Sequence, residues 1–307
     1  MSLALFSHPD MLGHTPPGGH DESPARLAAV TAALDEASGL DLQRLEAPLA
    51  DEADLDRVHS PRYRAFLAAN APRPGYVRPL DVDTWLSPGS LRAASRAAGA
   101  VVAAVRHVAA GEADRAFCAV RPPGHHAGPE SHMGFCLYSN VAIGARVALA
   151  AGLQRVAVVD FDVHHGNGTQ EVFERDPDLF LASVHQAPFW PGTGDPEERG
   201  LGNIANATVP AFAAPLVWRA AFEGLMARVA DFGPELIIVS AGFDAHARDP
   251  IGEQQLEAAD YAWATRAIVA ASKARAGGRV VSSLEGGYHL GALGESALAH
   301  VRALQGA

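Results

Sequence analysis

Residues 155–168 carry the densest chemistry in the chain, reading Arg-Val-Ala-Val-Val-Asp-Phe-Asp-Val-His-His-Gly-Asn-Gly. The β-branched run 156–159 predicts a strand buried on both faces of a parallel sheet. Its C-terminal end presents Asp160, Asp162 and His164 at alternate positions, which share a face in extended chain. Two carboxylates and an imidazole on one face of a dry interior repel or go unsatisfied unless a cation sits among them. Asp oxygen with His nitrogen is a ligand set that suits zinc. The competing reading is a polar loop after a strand, with Asp160 capping the next helix.

Other clusters extend this chemistry. His125 and His126 follow Pro-Pro-Gly124, where the glycine lets the chain turn sharply. Neighbouring imidazoles beside a metal suit general base and general acid work on its bound water, with Asp160 as the candidate carboxylate behind one of them. Taken in isolation, the pair reads as two loop histidines in solvent. Asp244, in Ala-Gly-Phe-Asp, is a candidate third protein ligand beside Asp162 and His164. Three protein ligands and an open position describe a catalytic zinc site; otherwise Asp244 caps a turn. Tyr288 follows Gly286-Gly287 and is either an oxyanion donor or a packed aromatic.

The elements that must position these residues alternate along the chain. The pattern predicts strands at 3–6, 117–120, 156–159, 180–184, 236–239 and 280–284. Helices are expected at 24–38, 88–110, 139–151, 169–174, 215–230, 254–273 and 292–304, with short ones at 55–58 and 63–69. Such alternation predicts a parallel sheet covered on both faces. No repeat or linker divides the chain, so residues 1–307 are expected to form one α/β domain. Each late strand runs directly into a cluster of His, Asp, Gly or Tyr. In open α/β sheets the ligand sits beyond the C-terminal strand ends, so five separate clusters point at one place.

Composition narrows the function classes. The chain has 307 residues, 48% of them hydrophobic, and a formal net charge of −11 without a Lys/Arg block; the footprint of a nucleic-acid binder is missing. Two cysteines, Cys118 and Cys136, argue against a disulfide framework or a zinc finger. No apolar run is long enough to span a membrane, and the N-terminus lacks the basic and apolar regions of a signal peptide. A cytoplasmic location is expected.

Arg121-Pro-Pro-Gly-His-His, Asp160-Phe-Asp-Val-His-His-Gly-Asn-Gly, Phe189-Trp-Pro-Gly-Thr-Gly, Ala241-Gly-Phe-Asp-Ala-His and Glu285-Gly-Gly-Tyr together resemble the zinc-dependent histone deacetylase family, in order, from about Glu22 to Tyr288. Asn167, the Phe-Asp-Ala-His run and the Glu before Gly-Gly-Tyr look like class II and its bacterial deacetylase-like amidohydrolases. The resemblance implies the arginase–deacetylase fold with an eight-stranded parallel sheet. It implies one zinc held by Asp162, His164 and Asp244, the tandem pair His125 and His126 with Asp160 behind His125, and Tyr288 polarising the acyl carbonyl. It implies an acyl-lysine channel walled by Phe135 and Trp190, with Gly134, Ile251 and Gly287 completing it. It also implies potassium beside the zinc, held chiefly by backbone oxygens of Asp160, Asp162, His164, Ser183 and Val184. The reaction implied is removal of an acetyl or acyl group from an amine such as acetyl-lysine by an activated water. The sequence departs from the commoner pattern in Asn167, which leaves the second histidine without a carboxylate partner, and in Trp190, which replaces Phe and narrows the channel.

Three rivals share this sequence. An arginase-type hydrolase needs carboxylates where Gly166 and His246 stand, so a single metal is expected. An acetylpolyamine amidohydrolase keeps the chemistry but wants acidic residues at the channel mouth. Ile251 stands where a polyamine-selective relative carries Glu, whereas Glu22 and Asp83 are candidates for the rim. An inactive binding module fits least, because every expected catalytic residue is present. The partners expected are an acetylated protein or a small-molecule amide, with no nucleic acid and no membrane; an oligomer is compatible with the sequence.

Overall fold

The computed structural model describes residues 2–306. The chain opens with β1 (Leu3–Ser7), a 3-10 turn (Pro9–Gly13) and α1 (Pro24–Glu36), then returns as β2 (Leu42–Glu46). Two short helices, α2 (Glu52–Leu55) and α3 (Pro61–Asn70), precede a small antiparallel ladder of β3 (Arg78–Pro79) with β4 (Trp85–Leu86). The middle of the chain is α4 (Ser90–Ala109), β5 (Arg115–Cys118), α5 (Asn140–Ala150), β6 (Val156–Asp160), α6 (Asn167–Phe173), β7 (Leu179–Gln186) and β8 (Ile204–Val209). It finishes with α7 (Pro215–Phe232), β9 (Leu236–Ala241), α8 (Ala258–Ser272), β10 (Val280–Leu284) and α9 (Leu290–Gly306).

Eight strands form one all-parallel sheet in the order β2-β1-β5-β10-β9-β6-β7-β8. Every residue of β5, β6, β7, β9 and β10 is buried, because helices cover both faces and leave no face for polar alternation. The first helical layer packs α5 against α4 and α6; in the second, α9 lies between α1 and α8, and α7 follows α8. Local signals agree with the packing. Ser60 caps α3 by accepting from the Tyr63 N–H at 3.1 Å, and α7 ends at Gly233 in the left-handed region, φ 64°.

The interior strands of the sheet lie where the sequence expects them, except that β5 starts and ends two residues earlier than 117–120; besides the short β3–β4 ladder, two strands of the main sheet lie where the residue pattern predicts none. These are β2, reading Leu-Gln-Arg-Leu-Glu, and β8, reading Ile-Ala-Asn-Ala-Thr-Val. Both are sheet edges, and β2 is wholly half-buried or exposed, so neither carries the apolar run of a covered strand. The helix expected at 254–273 starts only at Ala258, where Glu257 and Asp260 form a capping box. His185 lies inside β7 rather than after it.

Candidate metal centre and its cleft

The C-terminal ends of β5, β6, β9 and β10 bring the clusters together. Parallel pairing sets Asp160 beside both Ser183 and Ser240, so the turns that follow leave the sheet at one level. Asp162, His164 and Asp244 meet there, with their ligand atoms all within 4.8 Å of one another. His164 Nδ1 lies 3.0 Å from Asp162 Oδ1 and 3.2 Å from Asp244 Oδ2. All three are buried.

Electrostatics favours positive charge within the cluster. Burial opposes a charge on His164, yet its hydrogen bond to Asp162 and the nearby Asp244 carboxylate raise its pKa to about 9. Burial and the nearby Asp162 raise Asp244 to about 7. A proton thus supplies positive charge among three groups whose types could hold a metal ion. Asp244 Oδ1 accepts from the Val163 N–H at 2.8 Å, whereas its buried Oδ2 accepts no hydrogen bond. Gly286 donates its N–H to Asp162 Oδ2 at 2.8 Å. A Cβ at Gly286 would collide with both Asp162 Oδ2 and Asp244 Oδ2, so the cradle is built without one. These residues fit a bound divalent metal in ligand type, number and unsatisfied valence.

The tandem histidines stand beside this cluster, their rings 3.9 Å apart. His125 Nδ1 lies 3.0 Å from Asp160 Oδ2. Burial opposes its charge, but Asp162 and Asp160 outweigh burial and raise its pKa to about 10. His126 takes the opposite course. Burial, with His125 and His164 nearby, pushes it well below the usual imidazole value. Its Nδ1 lies 2.7 Å from Asn167 Oδ1, while Asn167 Nδ2 donates to Met133 Sδ at 3.5 Å. That second contact orients the amide, so His126 Nδ1 is the donor and Nε2 keeps its lone pair. Glu285 supports the pair from below, its Oε2 accepting from the Gly124 and His125 N–H groups at 2.6 and 3.2 Å.

Above the cluster opens a cleft whose lining includes His126, Gly134, Phe135, His164, Trp190, Ile251 and Tyr288. Phe189 and Asp83 complete it. Phe189, quoted from the sequence only as part of a motif, stacks on His164 at 5.2 Å; Trp190 stands edge-on to His126 at 4.8 Å. Phe135 holds its wall position with φ 69°, a left-handed conformation unusual for a bulky residue. Gly287 is not brought into the wall: at φ 117° its open side faces Leu293 and Phe243, and its carbonyl accepts from Arg26 Nε at 2.7 Å. Glu22, a candidate for the rim, is fully buried. It forms a two-pronged pair with Arg121 at 2.8 and 2.7 Å and lies 3.2 Å from His14. Buried charge of one sign needs a partner of the other, and the arginine that provides it lies in the motif just before the histidine pair. For the potassium residues, the structure places Asp160 and Ser183 side by side in register with Val184 next, while Asp162 and His164 follow the end of β6.

The chain resembles known proteins over its whole length. A family model described as the histone deacetylase domain matches residues 20–304. A probable deacetylase of Archaeoglobus fulgidus is 37% identical over 100% of this chain and 87% of its own. A histone deacetylase-like amidohydrolase of Pseudomonas aeruginosa is 39% identical over 88% of this chain and 73% of its own. The crystal structure of the HDA15 HD domain superposes with a TM-score of 0.93 and 34% identity, covering 99% of this chain and 88% of that one.

Proposed function

The chain belongs to the histone deacetylase family, and from that premise we propose that it is a zinc-dependent amidohydrolase that removes acetyl or acyl groups from acylated amines such as acetyl-lysine. The observation that carries this reading is the meeting of Asp162, His164 and Asp244 with His126 and Tyr288 in one apolar-walled cleft. Asp162, His164 and Asp244 would hold zinc, which supplies Lewis-acid polarisation of the acyl carbonyl and lowers the pKa of water.

The protein's own groups complete the chemistry. Neutral His126, its Nδ1 held by Asn167, takes the proton of the attacking water on Nε2. His125, paired with Asp160, carries positive charge next to the site and favours the negative charge that develops. The Tyr288 hydroxyl donates to the carbonyl oxygen as it becomes an oxyanion. The proton on His126 Nε2 then passes to the departing amine, the C–N bond breaks, and the acid leaves. Phe135, Phe189 and Trp190 shield the linear side chain from water. Potassium beside the site, held by Asp160, Asp162, His164, Ser183 and Val184, and a cytoplasmic location belong to the same reading.

A second substrate reading, acetylpolyamine hydrolysis, is favoured by one observation: the Asp83 carboxylate lines the cleft. Ile251, apolar and also in the lining, weighs against it. The test is acetate release by the purified, zinc-loaded protein from acetyl-lysine peptides, acetylpolyamines and small anilides. Turnover of none of them, with zinc bound, would refute the amidohydrolase reading. A higher kcat/KM on acetylpolyamines than on acetyl-lysine peptides would move the substrate assignment to the second reading.

A further inference from the structure

We propose that Asp249 is a positioning residue, one carboxylate that fixes both the backbone of Tyr288 and the cleft wall at Ile251. The inference rests on the reading of Tyr288 as the oxyanion donor. Asp249 Oδ2 accepts from the Tyr288 N–H at 2.7 Å and from the His289 N–H at 3.4 Å. Its Oδ1 accepts from the Ile251 N–H at 3.0 Å and from the Gly252 N–H at 3.4 Å. The second pair closes a local turn of the kind Asp side chains favour. The first pair reaches across to a different part of the chain. Tyr288 and Ile251 both line the cleft, so the same side chain sets the donor and the wall beside it.

The need for such a tie follows from the local backbone. Gly287 turns the chain at φ 117°, and Arg26 Nε holds its carbonyl at 2.7 Å. Tyr288 presents the next N–H. Arg26 therefore anchors the glycine side of that peptide and Asp249 the tyrosine side. The ring itself rests edge-on to Phe135 at 5.7 Å and against the Arg26 guanidinium at 4.9 Å. Such contacts tolerate sliding more than a hydrogen bond does. The Tyr288 and His289 N–H groups that Asp249 binds lie just before α9, at the end where the helix dipole favours a carboxylate. Four N–H donors converge on two oxygens, so an amide in its place turns an NH₂ group toward one pair of donors.

The experiment is a double-mutant cycle of Asp249→Asn with Tyr288→Phe on the zinc-loaded enzyme, read as kcat and KM on an acetyl-lysine peptide, with zinc content and Tm measured for each protein. A parallel set carries 3-fluorotyrosine at the five tyrosines, with the Tyr288 resonance assigned by its loss in Tyr288→Phe. Asp249→Asn is expected to lower kcat by roughly 10- to 100-fold, the scale of a displacement of about 1 Å. KM should move less, and the Tyr288 ¹⁹F line should shift or broaden. In the Tyr288→Phe background the same substitution should change kcat by less than about twofold, since partners acting as one unit are non-additive. A kcat within about twofold of wild type with an unchanged Tyr288 line overturns the proposal, and so does an effect that multiplies in full with that of Tyr288→Phe. Full turnover of Tyr288→Phe alone would instead remove the oxyanion role, and the ¹⁹F line would still decide whether Asp249 places the ring. Asp249→Ser keeps an acceptor for the Ile251 turn but cannot reach Tyr288, and it serves the same comparison should the asparagine variant fail to fold.

Discussion

Gly134→Ala tests how tightly the cleft wall and the histidine pair are packed. Gly134 has φ 53°. A Cβ built on it would lie 2.5 Å from His126 Cδ2 and 2.6 Å from Trp190 Cη2. Ordinary carbon contact starts near 3.5 Å, so each ring must retreat by about 1 Å. Trp190 stands at the mouth and is 39% exposed, which gives it room to swing outward. His126 has less freedom, being bonded to Asn167 at 2.7 Å and packed at a tilt against the His125 ring at 3.9 Å. A displacement of that size in His126, the proposed proton carrier, should cost on the order of 10² in kcat. The left-handed backbone adds strain of about 1–2 kcal/mol for a residue with a Cβ, which lowers Tm by roughly 1.5–3 °C in a chain of this size. The assay is steady-state turnover on an acetyl-lysine peptide, alongside thermal unfolding and zinc content. Zinc should remain bound, because Gly134 is not part of the ligand cluster. Adding Trp190→Ala to Gly134→Ala frees one of the two contacts and should recover part of kcat. A Gly134→Ala enzyme within about threefold of wild-type kcat would show that the wall yields without disturbing His126, and the reasoning fails.

Asp244→Ala removes the carboxylate whose Oδ2 accepts no hydrogen bond; metal analysis after dialysis should find well under one zinc per chain, and stoichiometric zinc would reject the ligand assignment. Ile251→Glu adds a carboxylate to a cleft that already holds Asp83, so the ratio of kcat/KM for acetylspermidine over acetyl-lysine peptide should rise; an unchanged ratio would exclude that position as a selector. His300 is fully buried, with Thr265 Oγ1 at 2.6 Å and Ser282 Oγ at 2.8 Å, and burial lowers its pKa to about 3. The unfolded chain, with a His pKa near 6.5, therefore binds this proton first, and the associated stability, fully present above about pH 6.5, is lost as pH falls toward 3. Urea unfolding should show wild type losing about 2–3 kcal/mol more than His300→Gln between pH 7 and pH 4.5; equal losses would mean that His300 is protonated in the folded state.

How much of this site is legible in the sequence depends on what each residue answers to. The strands β5, β6, β7, β9 and β10 announce themselves because both their faces are covered, and an apolar run is the only composition that satisfies both. β2 and β8 do not: β2 lies half in water and takes Gln and Arg as readily as a loop does, and β8, though largely buried, carries Asn and Thr among small apolar residues. Asp162 and His164 can be paired from spacing alone, since alternation places them on one face. Asp244 joins them only by the inference that strand ends converge. Glu22 shows the limit of residue type: a lone Glu reads as a surface charge, yet it lies buried against Arg121, whose matching charge arrives from a segment distant in the chain.

The sequence by itself determined the order of the motifs, the chemistry of the ligand set and the parallel sheet that carries them, because these rest on residue type and short-range periodicity. The tertiary structure alone decided which way Gly287 faces, that Phe189 joins the cleft, that of the two rim candidates Asp83 reaches it and Glu22 does not, that Met133 orients the Asn167 amide beside His126, and that Asp249 bonds both Ile251 and Tyr288. Each of these depends on a contact between segments distant in the chain. The direction of a carbonyl, the face of a glycine or the partner of a carboxylate is set by the segment packed against it, and local sequence holds no record of that segment.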